Sequence, residues 1–299
     1  MKILLLGKNG QVGWELQRSL APLGTLTACD FDSAGELKAD FSQPDSLLPL
    51  LQRFRPTVIV NSAAHTAVDK AESEAEVARA INATAPGVLA RWCADNGCML
   101  VHYSTDYVFD GSGDKARDED ASTAPLSVYG RTKLEGEELI RASGCTHLIL
   151  RTSWVYAARG GNFAKTMLRL AAERDQLKVI SDQIGAPTGA ELLADVTAHA
   201  VRALESQPQR AGTYHCVAGG ETSWHGYALH VIEWARAHGH PVKVARDAIA
   251  ALPTVDYPTP AKRPLNSRLA TAKLQAAFGI QLPQWQTGVE RMLAEVLTT

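Results

Sequence analysis

The chain has 299 residues, a formal net charge of −2 and a hydrophobic fraction of 45%. That length can bury a substantial core as one large or two small domains. The balanced charge, without a run of one sign, excludes a nucleic-acid stripe or a polybasic membrane patch, so neither nucleic acid nor membrane is expected as a partner.

No apolar run is long enough to span a bilayer, and Ile3–Leu6 is too short for a signal-peptide core. Cys29, Cys93, Cys98, Cys145 and Cys216 are odd in number and include no Cys-x-x-Cys pair. They read as reduced, mostly buried thiols of a cytoplasmic protein, without a disulfide frame or zinc site.

Lys2–Leu6 (KILLL) reads as a buried parallel strand. Gly7-Lys-Asn-Gly10-Gln-Val-Gly13 follows, then WELQRSLAPLG, where Leu16 and Leu20 share a helical face and Pro22 and Gly24 mark the stop. Glycines between a strand and a helix suit a turn that cradles pyrophosphate against the exposed amides of the helix start. An ordinary strand–helix loop is the other reading. Thr25–Cys29 is a second strand ended by Asp30. An acid there accepts hydrogen bonds from ribose hydroxyls, which suits NAD, while Lys8 offsets repulsion of the extra phosphate of NADP; both cofactors stay open.

Asp40-Phe41 precedes a helix-start signal, Ser42-Gln-Pro-Asp45, and Leu47–Phe54 continue that helix. Thr57–Val60 is a β-branched strand. It leads into Asn61-Ser-Ala-Ala-His65-Thr66, whose small residues let a loop lie flat against a cofactor or pack closely on the sheet. Glu72–Asn96 reads as a long helical segment interrupted near Pro86. Met99–Tyr103 is the next strand and runs into Ser104-Thr105-Asp106-Tyr107. Alternating strands and helices predict an α/β fold with a Rossmann-type, doubly wound parallel sheet. Ligands in such sheets bind beyond the carboxyl ends of the strands.

In SVYGRTKLEGEELI, Tyr129 and Lys133 stand four apart near a helix start and share one face. A free phenol has a pKa of about 10. A nearby ammonium favours the phenolate, so the spacing predicts a lowered Tyr129 pKa suited to proton transfer. Tyr-x-x-x-Lys is common by chance, and a surface tyrosine beside a solvated lysine is the alternative. The dinucleotide-type amino terminus upstream favours the site.

His147–Arg151 is a further strand, followed by Thr152-Ser-Trp154-Val-Tyr156. Asn162–Ala172 reads as a helix, Asp182–Thr188 as a loop, Glu191–Leu204 as a helix packed on the sheet and Thr213–Val217 as a late strand. Beyond Glu221 the strand–helix rhythm is lost; Tyr227–His238 and Gln284–Leu297 read as helices. Between them, residues 254–267 carry three prolines with Lys262 and Arg263. Such a loop presents fixed positive charge to a diphosphate, or is a surface linker with incidental charge. None of the nine histidines has metal-ligand spacing.

GKNGQVG, NSAAHT after the fourth strand, YSTDYVFDG after the fifth and Tyr129-x-x-x-Lys133 together resemble the extended short-chain dehydrogenases/reductases. RTSWVY, NFAKTML, DQIGAPTGAELLAD and YPTPAKRPLNSRL carry the resemblance over almost the whole chain, toward the dTDP-4-dehydrorhamnose reductase branch. The resemblance implies reduction of the 4-keto group of dTDP-4-dehydro-L-rhamnose by NADPH or NADH, to make dTDP-L-rhamnose for a cell-surface polysaccharide. It implies Tyr129 as proton donor, Lys133 as its tuner and a ligand of the nicotinamide ribose, and Thr105 as the hydroxyl holding the substrate carbonyl. Ser104 is the nearby competitor for that last role.

For the cofactor the resemblance implies Gly7, Gly10, Gln11, Val12, Gly13, Asp30, Asp40, Phe41, Ala63, Ala64, His65, Thr66, Asn82 and Tyr103, besides Tyr129 and Lys133. For the dTDP-ketosugar it implies Thr105, Asp106, Tyr129, Trp154 and Arg263. It further implies a homodimer with Mg2+ at Glu15, Glu191 and Glu295, although their spacing alone reveals no site. Residues 1–152 plus about 187–220 would form the dinucleotide-binding domain. Residues of about 153–186 plus 221–299 would form a smaller, mixed carboxyl-terminal substrate domain. Related dehydratases carry Thr-Asp-Glu where this chain has Thr105-Asp106-Tyr107, so the second acid is missing and simple reduction is expected. The alternatives are a reductase or epimerase of another nucleotide-ketosugar, and a non-catalytic NADP-binding subunit resembling the regulatory subunit of methionine adenosyltransferase.

Overall fold

A computed structural model describes residues 1–297. Its strands are β1 (Lys2–Leu6), β2 (Thr25–Cys29), β3 (Val58–Asn61), β4 (Met99–Thr105), β5 (His147–Thr152), β6 (Val155–Tyr156), β7 (Leu177–Ile180), β8 (Ile184–Gly185), β9 (Thr188–Gly189), β10 (Gly212–His215), β11 (Thr222–Ser223) and β12 (Ile249–Leu252). The helices are α1 (Gln11–Leu20), α2 (Leu47–Phe54), α3 (Val68–Ala71), α4 (Ala75–Arg79), α5 (Ala85–Asn96), α6 (Val128–Ala142), α7 (Phe163–Glu173), α8 (Ala190–Ser206), α9 (Trp224–Ala237), α10 (Ala272–Phe278) and α11 (Trp285–Leu297).

Six strands form one parallel sheet in the order β2-β1-β3-β4-β5-β10. Side chains alternate across its two faces. Ile3, Leu5, Val60, Val101 and Leu150 point to the face covered by Leu16 of α1 and Leu193 of α8. Leu4, Leu6, Ile59, Leu100 and Ile149 point to the face covered by Leu51 of α2, Leu89 of α5 and Ile140 of α6. Both faces are dry, so these strands read as continuous apolar runs and not as alternating ones. Each fully buried Leu or Ile stabilises the sheet by roughly 1.5–3 kcal/mol. The strand order reverses at β1, which opens a crevice between the ends of β1 and β3, as in other doubly wound sheets.

A separate core lies among α7, α9, α11, β7 and β12, around Met167, Val179, Val231, Ile249 and Leu293. There β7 and β12 pair in parallel.

The strand count differs from expectation. The runs counted fourth and fifth are the third and fourth strands. Near Asp40 the chain contributes only an isolated bridge between Asp30 and Lys38. The long helix is interrupted near Pro86, as expected, and Pro86 itself lies in the first turn of α5. The break is a wide π turn at Ala80–Thr84. Helix α10 and strand β12 were not foreseen. Ala250 and Ala251 carry no strand preference of their own, and pairing with β7 decides their conformation.

Helix α6 is pinned to the sheet by charge. Glu137 is fully buried and takes Arg151 of β5 through two contacts, of 2.9 and 2.7 Å, with Arg141 at 2.9 Å. Removing one partner of such a pair strands the other in the core.

Candidate active site

The first turn of α6 is set by Ser127, whose hydroxyl accepts from the Gly130 N–H at 3.2 Å. Gly130 lets the helix lie against the preceding chain, because a Cβ there would stand 2.2 Å from the Tyr107 carbonyl oxygen. Gly136 plays the same part against the Asn82 carbonyl, also at 2.2 Å. This close approach brings Tyr129 and Lys133 to the carboxyl ends of β3 and β4.

Lys133 is 2% exposed and donates to the Tyr103 carbonyl at 2.6 Å. Burial lowers its pKa to about 8, with Glu137 pulling the other way. Tyr129 departs from expectation. Burial pushes its phenol up to about 12, against the pull of a hydrogen bond with Thr105, while the charge of Asp106 adds to the rise. The predicted lowering is absent because the amine is engaged by the Tyr103 carbonyl and desolvation dominates. The phenol therefore rests as a protonated donor.

Thr105 ends β4. Its hydroxyl donates to Asp106 Oδ1 at 3.1 Å and accepts from the Tyr107 N–H at 3.2 Å. Ser104 lies near Glu137 and lines the same cleft, its buried Oγ without a hydrogen-bond partner among the described residues. Asp106 is 2% exposed, and burial raises its carboxyl to about 6, with Ser267 and Thr105 opposing. Tyr107 sets its ring edge-on to Tyr129, with centroids 5.4 Å apart.

A cleft of about 930 Å³ runs from these residues to the glycine loop. Gly7, Gly10, Gln11, Val12, Asp30, Asp40 and Phe41 line one part of it. Ala63, Ala64, His65, Thr66, Tyr103, Thr105, Asp106, Tyr129, Lys133 and Trp154 line the rest. Asp30 ends β2, and its carboxylate accepts from the amides of Asn9 at 2.9 Å and Phe31 at 2.8 Å.

Three expected ligand residues lie behind this wall. Gly13 is a packing residue, since a Cβ would stand 1.9 Å from the Gly7 carbonyl oxygen. Asn82 is fully buried; it accepts from the His65 N–H at 2.9 Å and donates to the His65 carbonyl at 3.1 Å. It thus braces the loop that lines the cleft. Arg263 donates to Asp69 Oδ2 at 2.8 Å and lies beside Tyr107. Trp154 has a left-handed φ of 49° and stacks on Trp224 with centroids 3.7 Å apart, so one indole face is already covered.

The residues present fit a dinucleotide. Gly7 adopts φ +87°, and a Cβ there would meet the Ala63 nitrogen at 2.6 Å. Helix α1 starts without a side-chain cap, leaving its first amides to an anion. Thr152 Oγ1 and Ser153 Oγ are buried on the cleft wall without a hydrogen-bond partner among the described residues.

The acids expected to hold a metal share one surface: the charges of Glu15 and Glu295 both act on Glu191, whose carboxyl burial raises. Arg18 approaches Glu15 and Arg291 approaches Glu191, each at 3.5 Å. Among the described residues no three His, Cys, Asp or Glu side chains gather closely enough to hold a metal ion.

Sequence reasoning missed Trp224, Asn61 and His102. The last two lie behind Lys133. A histidine inside the apolar run MLVHY was the available signal, but alone it reads as a core residue.

Residues 1–298 match the family described as RmlD substrate binding domain. The chain belongs to that family. It is 57% identical over 299 residues to dTDP-4-dehydrorhamnose reductase of Shigella flexneri, covering 100% of this chain and 99% of that protein. The enzyme of the same name from Salmonella typhimurium is also 57% identical, with the same coverage. Among solved structures of the family, dTDP-4-dehydrorhamnose reductase of Bacillus anthracis in complex with NADP superposes with a TM-score of 0.86. It is 32% identical and covers 99% of this chain and 100% of that one.

Proposed function

We propose that this protein reduces the 4-keto group of dTDP-4-dehydro-L-rhamnose to give dTDP-L-rhamnose, with NADPH or NADH as reductant. The observation that carries the reading is the meeting of the Thr105 hydroxyl, the Tyr129 phenol and the Lys133 amine on a cleft that continues to the glycine loop. The full-length identity of 57% to reductases of that name supports it.

When bound, the nicotinamide supplies a hydride to the carbonyl carbon. The protein does the rest. Gly7, Gly10 and the first amides of α1 hold the pyrophosphate, and Asp30 holds the adenosine ribose. Ala63, Ala64, His65 and Thr66 line the path of the cofactor, and Tyr103 and Lys133 hold its nicotinamide end. The Thr105 hydroxyl orients the substrate carbonyl, and Tyr129 gives its phenolic proton to the oxygen as negative charge develops. Lys133, once charged, stabilises the phenolate left behind. Tyr107 in place of an acid leaves no second carboxyl for eliminating water.

The same reading assigns nucleotide-sugar binding to residues of about 153–186 plus 221–299, with Trp154 against the sugar and Arg263 against the diphosphate. It assigns dinucleotide binding to 1–152 plus about 187–220. The surface bearing Glu15, Glu191 and Glu295 is the candidate face for a Mg2+-linked homodimer, for which sedimentation with and without a chelator is the check. No helix among the described residues is long and apolar enough to cross a membrane. The cytoplasm, where NADPH and nucleotide-sugars meet, is the proposed place of work.

A panel of nucleotide-linked ketosugars with NADPH and NADH, read by loss of reduced-nicotinamide absorbance, tests the function. Turnover is expected with dTDP-4-dehydro-L-rhamnose. Faster turnover of a different ketosugar, or none with any, overturns the assignment.

A further inference from the structure

Asn61, the last residue of β3, and His102 of β4 are register partners on neighbouring parallel strands. Their side chains lie on the face that α6 covers, and each is 1% exposed. Asn61 has a defined orientation. Its Oδ1 accepts from the Ala63 N–H at 3.1 Å, which turns Nδ2 toward His102 Nδ1 at 3.1 Å. An amide nitrogen can only donate, so Nδ1 must be the bare nitrogen of the ring. Burial holds His102 well below its ordinary pKa. A neutral imidazole carries one N–H, which therefore sits on Nε2.

His102 Nε2 stands 3.2 Å from Lys133 Nζ. An N–H facing an ammonium would place two donors together with no acceptor between them. The contact is a hydrogen bond only if Lys133 is a neutral amine that offers its lone pair to His102 and one hydrogen to the Tyr103 carbonyl at 2.6 Å.

We propose that His102, oriented by Asn61, is a positioning residue that stabilises the neutral form of Lys133 and so sets the pH at which this lysine becomes the cation beside Tyr129. The proposal rests on reading Tyr129 and Lys133 as the catalytic pair. Three titratable groups face the amine: His102 from β4, and Tyr129 and Glu137 from α6 itself. Glu137 favours the ammonium, but its carboxylate is already taken by Arg151 and Arg141. Asp106, beyond the end of β4, acts on Tyr129. His102 is thus the contact that opposes the charge at hydrogen-bonding distance. Below the lysine pKa the added proton has no acceptor on the imidazole side and serves the cleft; above it, the amine returns to His102.

The sign follows. Ketone reduction needs the ammonium, so the rate falls as pH rises through the Lys133 pKa. His102→Phe deletes the opposing N–H and moves that basic limb to higher pH. Asn61→Asp accepts the hydrogen on Nδ1, leaves Nε2 as an acceptor for the ammonium and moves the limb the same way.

The test has two arms on the full-length protein. Nitrogen-15 histidine spectra of the cofactor-free wild type should show His102 with a bare Nδ1 and a protonated Nε2, and Asn61→Asp should reverse that tautomer. The pH profile of kcat should shift upward by about one unit or more in each variant. A protonated Nδ1 in the wild type, or a limb that stays in place in an active variant, overturns the proposal. If His102→Phe does not fold, Asn61→Asp and the spectra decide. Failure of the wild type to reduce the ketosugar would sink the functional reading, and the tautomer would still decide the His102–Lys133 contact.

Discussion

Lys133 and Tyr129 share a face of α6, yet the Lys133 amine is bonded to the Tyr103 carbonyl at 2.6 Å while the phenol lies against Thr105. The pair is assembled in sequence but rests uncoupled. Burial holds the phenol protonated, with a pKa of about 12, and holds the amine near 8. A reductase needs that resting state, because the tyrosine must enter the reaction with its proton on.

Replacing the donor tests this directly. Tyr129→Phe keeps the ring and its edge contact with Tyr107 and deletes the proton. kcat is expected to fall by roughly 10²–10⁴-fold. NADPH affinity, measured by fluorescence titration, should change by less than about threefold, since the loss falls on the transition state. Retained turnover would reassign the proton donor.

The glycine loop makes a steric prediction. In Gly13→Ala the new methyl would stand 1.9 Å from the Gly7 carbonyl oxygen. The turn must open, and its amides lose their aim at pyrophosphate. The NADPH Kd is expected to rise by at least about tenfold. Gly161→Ala is the control, because its Cβ meets nothing within 4 Å.

Asp106 links stability to pH. Its folded pKa is raised from 3.8 to about 6. Between those values the folded state binds more protons than the unfolded one, so this residue's contribution to stability falls as pH rises through the window. Asp106→Asn removes that dependence. Urea unfolding should show the variant gaining on the wild type between pH 4 and pH 6, to a plateau of about 1–3 kcal/mol. A constant difference across that window would mean that Asp106 is not a raised carboxyl.

Arg263 separates substrate from cofactor. It is held by Asp69 at 2.8 Å beside Tyr107, outside the wall of the cleft. If it turns onto the diphosphate of the ketosugar, Arg263→Ala loses a charge-assisted contact. KM for the ketosugar should then rise by roughly 10–100-fold, with NADPH affinity unchanged. An unchanged KM would leave Arg263 as a structural partner of Asp69.

Local pattern made several features legible without coordinates. The apolar run Lys2–Leu6, the glycines after it and the Leu16/Leu20 face specify a strand, a tight turn and a helix through short-range sterics and periodicity. The four-residue spacing of Tyr129 and Lys133 likewise puts both on one helical face wherever α6 docks. Tertiary structure decided the rest, because burial and hydrogen-bond competition involve partners distant in the chain. Lys133 finds the Tyr103 carbonyl and His102, Asn82 braces His65, Trp154 stacks on Trp224, and Arg263 reaches Asp69. No spacing rule encodes those meetings. They depend on which groups the folded sheet removes from water together.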